Sequence, residues 1–459
     1  MRYYILITSF LFISIGLRAQ DSIVPQDYSL SLQEAIVYGL EHNYSAKNAG
    51  TDVAIALKQK WEIIAQGLPQ VAAEISYQNQ LVQPVSFIPA QFFDENAAPG
   101  EFAPVTFSPK QSMVATATLN QLIFDGSYIV GIQSAKTLLQ ISENAKVKTD
   151  LEVKEQVTSA YGNVLLAEES VLILKKNLKT IDKNLNDTQK IFENGMTEEE
   201  DVEQLEITRL GLDTDLNNAM RQLAIAYDML KVTLGMPLDN KLRVTDELDD
   251  LAMQYYDLNI LKTEIKAENN IDYRISEDQA NLAKVQVKLE KSKALPRLTA
   301  FVNYGAQTTA NDFAFLNSDQ PYFDQSILGV TLSVPIFSSG MRSARTAQKE
   351  LSYQKSLEDL EQTRNEVKLK ITSARNDYRF ALDNYSNQQK NLDLAERIEK
   401  KNQTKFFEGI STSFDLSSAQ QQLFSAQQQY LQAMLDVITS KAALEKVLDT
   451  TKYQPEEKN

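Results

Sequence analysis

Glu198, Glu199, Glu200 and Asp201 form an unbroken acidic run shortly after Gly195, and Asp415 stands in the matching place after Gly409. Carboxylates crowded at one opening attract cations and repel anions. The same acids at helix N-termini are stabilised by the helix dipole, and the two roles are compatible. Nucleophilic catalysis has little to work with. The chain has one histidine, His42, and no cysteine, so the usual nucleophile and base pairings cannot be assembled. Neither a P-loop nor a dinucleotide fingerprint is present, and the other carboxylate pairs read as solvated helix faces. The expectation is therefore no enzyme, no catalytic residue, no cofactor and no histidine or cysteine metal site, with His42 structural.

The charge balance points the same way. With 46 Lys and Arg against 61 Asp and Glu, the 459-residue chain carries a net charge of -15. That argues against a nucleic-acid partner, whose binding needs a basic surface to replace phosphate counterions. Residues 1–19 have a basic start at Arg2, an apolar stretch and a small residue, Ala19, before Gln20. They predict a secretory signal peptide cleaved after Ala19. No later apolar run is long enough for a transmembrane helix, so a membrane-embedded form has to use strands.

The elements that position the acids are long helices. From about Ser127 to Glu193, and again from Met341 to Glu408, there is no proline, and apolar residues recur at three and four, as in Val153, Val157, Ala160, Tyr161, Val164 and Leu165. Each stretch predicts a coiled-coil-like rod. Gly195 and Gly409 supply left-handed caps at the rod ends. Thr197 with Glu200 offers a capping box for the return arm. The return arms run to about Leu234 and Leu448, giving two helical hairpins.

The two hairpins belong to a duplication. LPQVAAEISY at 68–77 recurs as LPRLTAFVNY at 295–304, LNQLIFDGS at 119–127 answers LSVPIFSSG at 332–340, and FENGMTEEEDV at 192–202 answers FFEGISTSFDL at 406–416. A repeat of this length is a duplicated supersecondary unit. The stretches before the rods alternate with period two. Val71, Ala73, Ile75 and Tyr77 oppose Gln70, Glu74, Ser76 and Gln78, and comparable alternation occurs at 113–120, 298–304 and 328–334. These predict four strands with the alternation of an outer-membrane barrel or of a soluble sheet with one buried face. The segment from Pro84 to Pro109 reads as a long surface loop, shorter at 308–325 in the second copy. Its aromatics either form an interfacial girdle or pack the loop. Four strands cannot close a barrel, and open edges are not tolerated in hydrocarbon, so a membrane form requires several chains to pool their strands.

In element order, in IFDGS at 123–127 and PIFSSG at 335–340, and in the turn motifs GMTEEEDV and GISTSFDL, the chain resembles the TolC-like outer membrane efflux family from about Leu30 to Leu448. The resemblance implies an α+β membrane protein. Its implied form is a trimeric 12-stranded β-barrel, four strands per protomer, continued by a long α-helical coiled-coil barrel. The implied function is that of the outer-membrane exit duct of a tripartite efflux or type I secretion system. Its partners would be two further copies of itself, a periplasmic adaptor, an inner-membrane transporter and outer-membrane lipid. Glu198, Glu199, Glu200, Asp201 and Asp415 would form the periplasmic gate, and the turns at Gly195, Met196, Gly409 and Ile410 would dock the adaptor.

The expected division is a signal at 1–19, a first repeat at 20–235, an equatorial segment at 236–269, a second repeat at 270–449 and a polar tail at 450–459. Two departures from the family pattern stand out. Leu122 replaces the proline that the second copy keeps at Pro335, which alters a local bend. Gln204 and Ser418 stand where some members carry a second acid. The alternatives from other classes are a soluble exported coiled-coil scaffold and, on scattered carboxylates alone, an envelope hydrolase.

Overall fold

The computed structural model describes residues 27–262 and 266–448; the signal peptide expected at 1–19 and the tail at 450–459 lie outside the described residues. The elements run β1 (Asp27–Leu30), α1 (Leu32–His42), α2 (Tyr44–Ala65), β2 (Gln70–Asn79), β3 (Ser86–Pro89), β4 (Phe102–Val105), β5 (Gln111–Asp125), α3 (Gly126–Glu193), α4 (Glu199–Leu234), β6 (Lys241–Val244), α5 (Leu248–Tyr255), α6 (Ile271–Ser292), β7 (Arg297–Ala310), β8 (Phe323–Ser333), α7 (Met341–Phe407) and α8 (Ser413–Leu448). The two rods are 68 and 67 residues long, and both return arms have 36 residues. The chain forms two compact units, each taking segments from both sequence copies.

The first unit takes the described residues up to Asn43 with Val153–Asp257 and Phe380–Ala442. Its helical arms pack through apolar rows: Val171, Leu174 and Ile181 of α3 meet Leu212, Leu216 and Ala219 of α4. Gly162 lets α8 approach α3, because a Cβ there would lie 2.7 Å from Leu435 Cδ1. β1 and β6 form a parallel pair that period-two alternation does not reveal, since each strand is only four residues long. Tyr161, fully buried, fastens this pair to the helices. Its hydroxyl shares its proton between Asp246 Oδ2 at 2.8 Å and the Leu30 carbonyl at 3.0 Å, and accepts from the Thr245 and Asp246 amides at 3.2 and 3.3 Å. Asp246 Oδ2 also accepts from the Leu32 amide at 2.7 Å, at the start of α1. Gly235, at φ +73°, closes α4 where a Cβ would sit 2.3 Å from the His42 carbonyl oxygen. His42 itself ends α1 with its ring stacked on Tyr38, centroids 4.1 Å apart.

The second unit takes Tyr44–Glu152, Leu258–Arg379 and the described residues from Ala443. It holds an antiparallel sheet in the order β2-β5-β7-β8. The strands extend beyond the alternating cores, to 15 residues in β5 and 14 in β7. Leu122 has a consequence larger than a bend. With no proline to remove a ladder donor, β5 continues through a bulge between Leu122 and Phe124 and runs directly into α3. β8 instead stops at Ser333, ahead of Pro335.

The long loop of the first copy is also more ordered than expected. It carries a small hairpin pairing Ser86 with Val105 and Pro89 with Phe102. In the second copy Phe315 is buried against Tyr77 and Phe313, so this aromatic packs the loop, while Phe313 stays 63% exposed. Among the helices of this unit, Asp272 at the start of α6 accepts from Lys148 of α3 at 2.8 Å and Lys370 of α7 at 2.9 Å.

Candidate gate and docking turns

At the end of α3 the chain reverses through Gly195 at φ +69°. The Gly195 amide bonds to the Phe192 carbonyl at 2.8 Å, and the Met196 amide to the Ile191 carbonyl at 3.1 Å. The end of α7 repeats the geometry: Gly409 at φ +73°, its amide on Phe406 at 3.0 Å, and the Ile410 amide on Lys405 at 2.9 Å. These paired bonds are the left-handed helix closure that glycine supplies without a Cβ penalty. Nothing lies within 4 Å of a Cβ built on either glycine, so only the backbone conformation constrains them. Met196 is 74% and Ile410 71% exposed. The four predicted docking residues therefore form two equivalent turns, each presenting one apolar side chain to solvent.

The predicted gate acids divide into two groups. Glu198 is the N-cap of α4 without a side-chain cap bond, and Glu199 and Glu200 occupy its first turn; all three are exposed. The box expected from Thr197 and Glu200 is not made, because the Thr197 hydroxyl donates to Asp201 Oδ2 instead. Asp201 is half-buried, and its Oδ1 accepts the Ser413 amide of the other hairpin at 3.2 Å. Burial raises the Asp201 carboxyl, but hydrogen bonds from Ser413 and Thr197 outweigh it and hold the group below the usual carboxylate range.

Asp415 works within its own turn. Oδ2 accepts from the Thr412 hydroxyl at 2.9 Å, the Ser411 hydroxyl at 3.0 Å and the Thr412 amide at 3.2 Å, while the Asp415 amide donates to Thr412 Oγ1 at 3.2 Å. The Thr412 hydroxyl leads the bonds that lower its carboxyl. Thr412 and Asp415 are thus a reciprocal capping pair.

Asp201 and Asp415 converge on the single segment 412–413, one from each hairpin. The three glutamates do not join them and remain free to act on ions in solution. The sequence reading missed Ser411, Thr412 and Ser413 as partners of these acids, and it paired Thr197 with Glu200 rather than with Asp201. The Thr412-x-x-Asp415 spacing was the signal for one pair; the link from Asp201 to Ser413 leaves none in a linear reading. Below the turns, Thr208 of α4 meets Ser417 of α8 at 2.9 Å. Leu205, Leu416 and Phe406 close an apolar layer with Leu185.

The sheet supplies the other functional surface. Pairing places Val71, Leu119, Val302 and Leu328 in one row, and Ile75, Ala115 and Ala306 in another that ends at Asp324 of β8, all on one mainly apolar face. The opposite face carries Gln70, Asn120 and Phe301, then Glu74, Thr116, Gly305 and Gln325. The apolar face is open to solvent in the isolated chain, with Val71 73% and Leu328 75% exposed. A contiguous surface of that kind marks contact with a nonaqueous neighbour. Among the described residues no helix is long and apolar enough to cross a membrane.

Comparison with known proteins agrees with this architecture. The family described as Outer membrane efflux protein matches residues 266–450. The outer membrane protein TolC of Vibrio cholerae is 23% identical over 349 residues, covering 76% of this chain and 79% of its own length. The alkaline protease secretion protein AprF of Pseudomonas aeruginosa is 22% identical over 342 residues, covering 72% and 69%. The crystal structure of CusC shares the fold with a TM-score of 0.71 at 17% identity, over 95% of both chains. Its second copy is thus matched by the outer membrane efflux protein family, and over most of its length the chain is similar to TolC and shares the fold of CusC.

Proposed function

We propose that the chain is the outer-membrane exit duct of a tripartite efflux or type I secretion system. It is a passive channel of three copies, and an inner-membrane transporter supplies the energy. The observation that carries this reading is the β2-β5-β7-β8 sheet, apolar on one face and polar on the other, with β2 and β8 unpaired on their outer sides. Open edges are excluded from hydrocarbon. Pairing β8 of each copy with β2 of the next closes about twelve strands around water and leaves no edge. The names of the relatives, an outer membrane protein and a protease secretion protein, support the same role.

In this reading residues 20–235 and 270–449 are two copies of one wall unit, joined by an equatorial segment at 236–269. Their helical hairpins continue the barrel as a helical tunnel. The turns at Gly195, Met196, Gly409 and Ile410 meet a periplasmic adaptor, and Glu198, Glu199 and Glu200, with Asp201 and Asp415, charge the mouth. Cell fractionation tests the proposal. The protein is expected in washed outer membranes, extracted only by detergent, as a heat-sensitive trimer that conducts ions in planar bilayers. Recovery from the soluble periplasm without detergent refutes it and favours an exported scaffold.

A further inference from the structure

We infer that Glu74 is a charge-selecting residue of the strand region, favouring cationic solutes over anionic ones; this rests on the channel reading above. On the polar face of the sheet the neutral groups are Gln, Asn, Thr and Ser, with a few apolar residues such as Phe301. Two charged features interrupt them. Asp125 and Arg297, paired at one end of the sheet, neutralise each other at 3.6 Å. Glu74, in the middle of β2, is exposed and makes no side-chain hydrogen bond or ion pair among the described residues.

Its surroundings leave the charge uncompensated. The row across the sheet from Glu74 is Thr116, Gly305 and Gln325, without a cation. Gly305 keeps that row low: a Cβ there would lie 2.8 Å from the Ala115 carbonyl oxygen and 3.1 Å from Thr116 Oγ1. The carboxylate therefore stands beside a shallow strip and faces the water of the passage. In a trimer, three such carboxylates lie at one height. A ring of like charge within low-dielectric walls raises the local concentration of counter-ions and lowers that of co-ions. Glu74 is distinct from the acids at the helical turns, because it belongs to the strands.

The test is the reversal potential of the full-length protein in planar bilayers under a potassium chloride gradient. Glu74→Gln is expected to lower the cation-to-anion permeability ratio by about two- to fivefold, and Glu74→Lys to lower it further. Adding Thr116→Glu to Glu74→Gln returns a carboxylate to the same row and is expected to restore the wild-type ratio, which a merely structural role for Glu74 would not produce. Variant channels that conduct with the wild-type reversal potential overturn the inference and leave the channel reading intact. Failure of the wild-type protein to conduct at all overturns the channel reading, and this inference with it.

Discussion

The link from Asp201 to the second hairpin can be cut in two ways, and the pair separates cap from charge. Asp201→Ala removes the acceptor of the Ser413 amide and the partner of the Thr197 hydroxyl. Losing an N-cap acceptor costs about 0.5–2 kcal/mol, and bonds to a charged group about 1.5–3 kcal/mol when buried. Here the contact is 3.2 Å and the carboxylate half-exposed. A value near 1–1.5 kcal/mol follows, or roughly tenfold in the local opening equilibrium. Asp201→Asn keeps an acceptor oxygen and loses only the charge, so about half that effect is expected.

Hydrogen exchange of the peptide covering 411–420, measured on the detergent-solubilised protein, reads the difference directly. Equal exchange in wild type and Asp201→Ala refutes the trans cap; Asp201→Asn as damaging as Asp201→Ala refutes the separation of roles. The pH dependence has a fixed sign. The folded carboxyl is held below its unfolded value of about 3.9. The stabilisation is therefore complete above that value and is lost as the pH falls through the folded pKa. Exchange at 411–420 in the wild type should stay protected at neutral pH and loosen only under acid.

Other perturbations test the packing that supports the site. Gln420 of α8 is buried beside Glu399, yet neither atom of its amide makes a hydrogen bond of normal geometry, and the buried Asn184 Nδ2 and Thr188 Oγ1 share that condition. Tyr161→Phe strands the Asp246 amide, while the Thr245 amide keeps the Leu30 carbonyl at 3.2 Å, and should cost about 1–2 kcal/mol in denaturant titrations. A loss below about 0.5 kcal/mol would show that the hydroxyl does not hold β1 and β6. The Tyr161 hydroxyl is pushed up to about 12, by burial first and then by the Asp246 carboxylate, so this effect should be constant from pH 6 to pH 9. Met196→Asp and Ile410→Asp alter exposed side chains outside the core. They should leave melting unchanged and abolish efflux-dependent resistance or secretion; retained transport would refute the docking role.

The parts of the fold legible in the sequence were those built by periodicity. Rods of nearly seventy residues and strands with clean alternation leave a signal at every third or second position, and Gly195 and Gly409 mark where the rods must turn. The β1-β6 pair was not legible, because its four-residue strands pair across more than two hundred positions and are fastened by contacts from elsewhere in the chain, the buried Tyr161 hydroxyl among them. The β3-β4 hairpin was hidden by proline: Pro84, Pro89 and Pro104 argue for loop, and only an edge pair tolerates them. At the candidate gate the residue types were readable, but their partners were not. An acidic run shows where charge collects, whereas which acid is spent on a cap depends on hydroxyls and amides brought from elsewhere in the chain.

That distinction changes how the duplicated hairpins compare. The second return arm begins with a complete box of its own, Thr412 with Asp415, and receives a further acceptor from Asp201. The first return arm begins at Glu198 with no side-chain cap. The α8 start is therefore tied twice and the α4 start is not, although the copies agree in length and turn geometry. Helix ends without caps fray first, so the first turn of α4 is the weaker of the two tips. It also carries the three free glutamates, whose mutual repulsion favours separation. If the mouth widens by local yielding, that yielding begins at Glu198–Glu200. Peptides covering 196–204 should then exchange faster than those covering 410–418, and Glu199→Gln with Glu200→Gln should narrow the gap. Equal exchange at the two tips of the wild-type protein would refute the asymmetry.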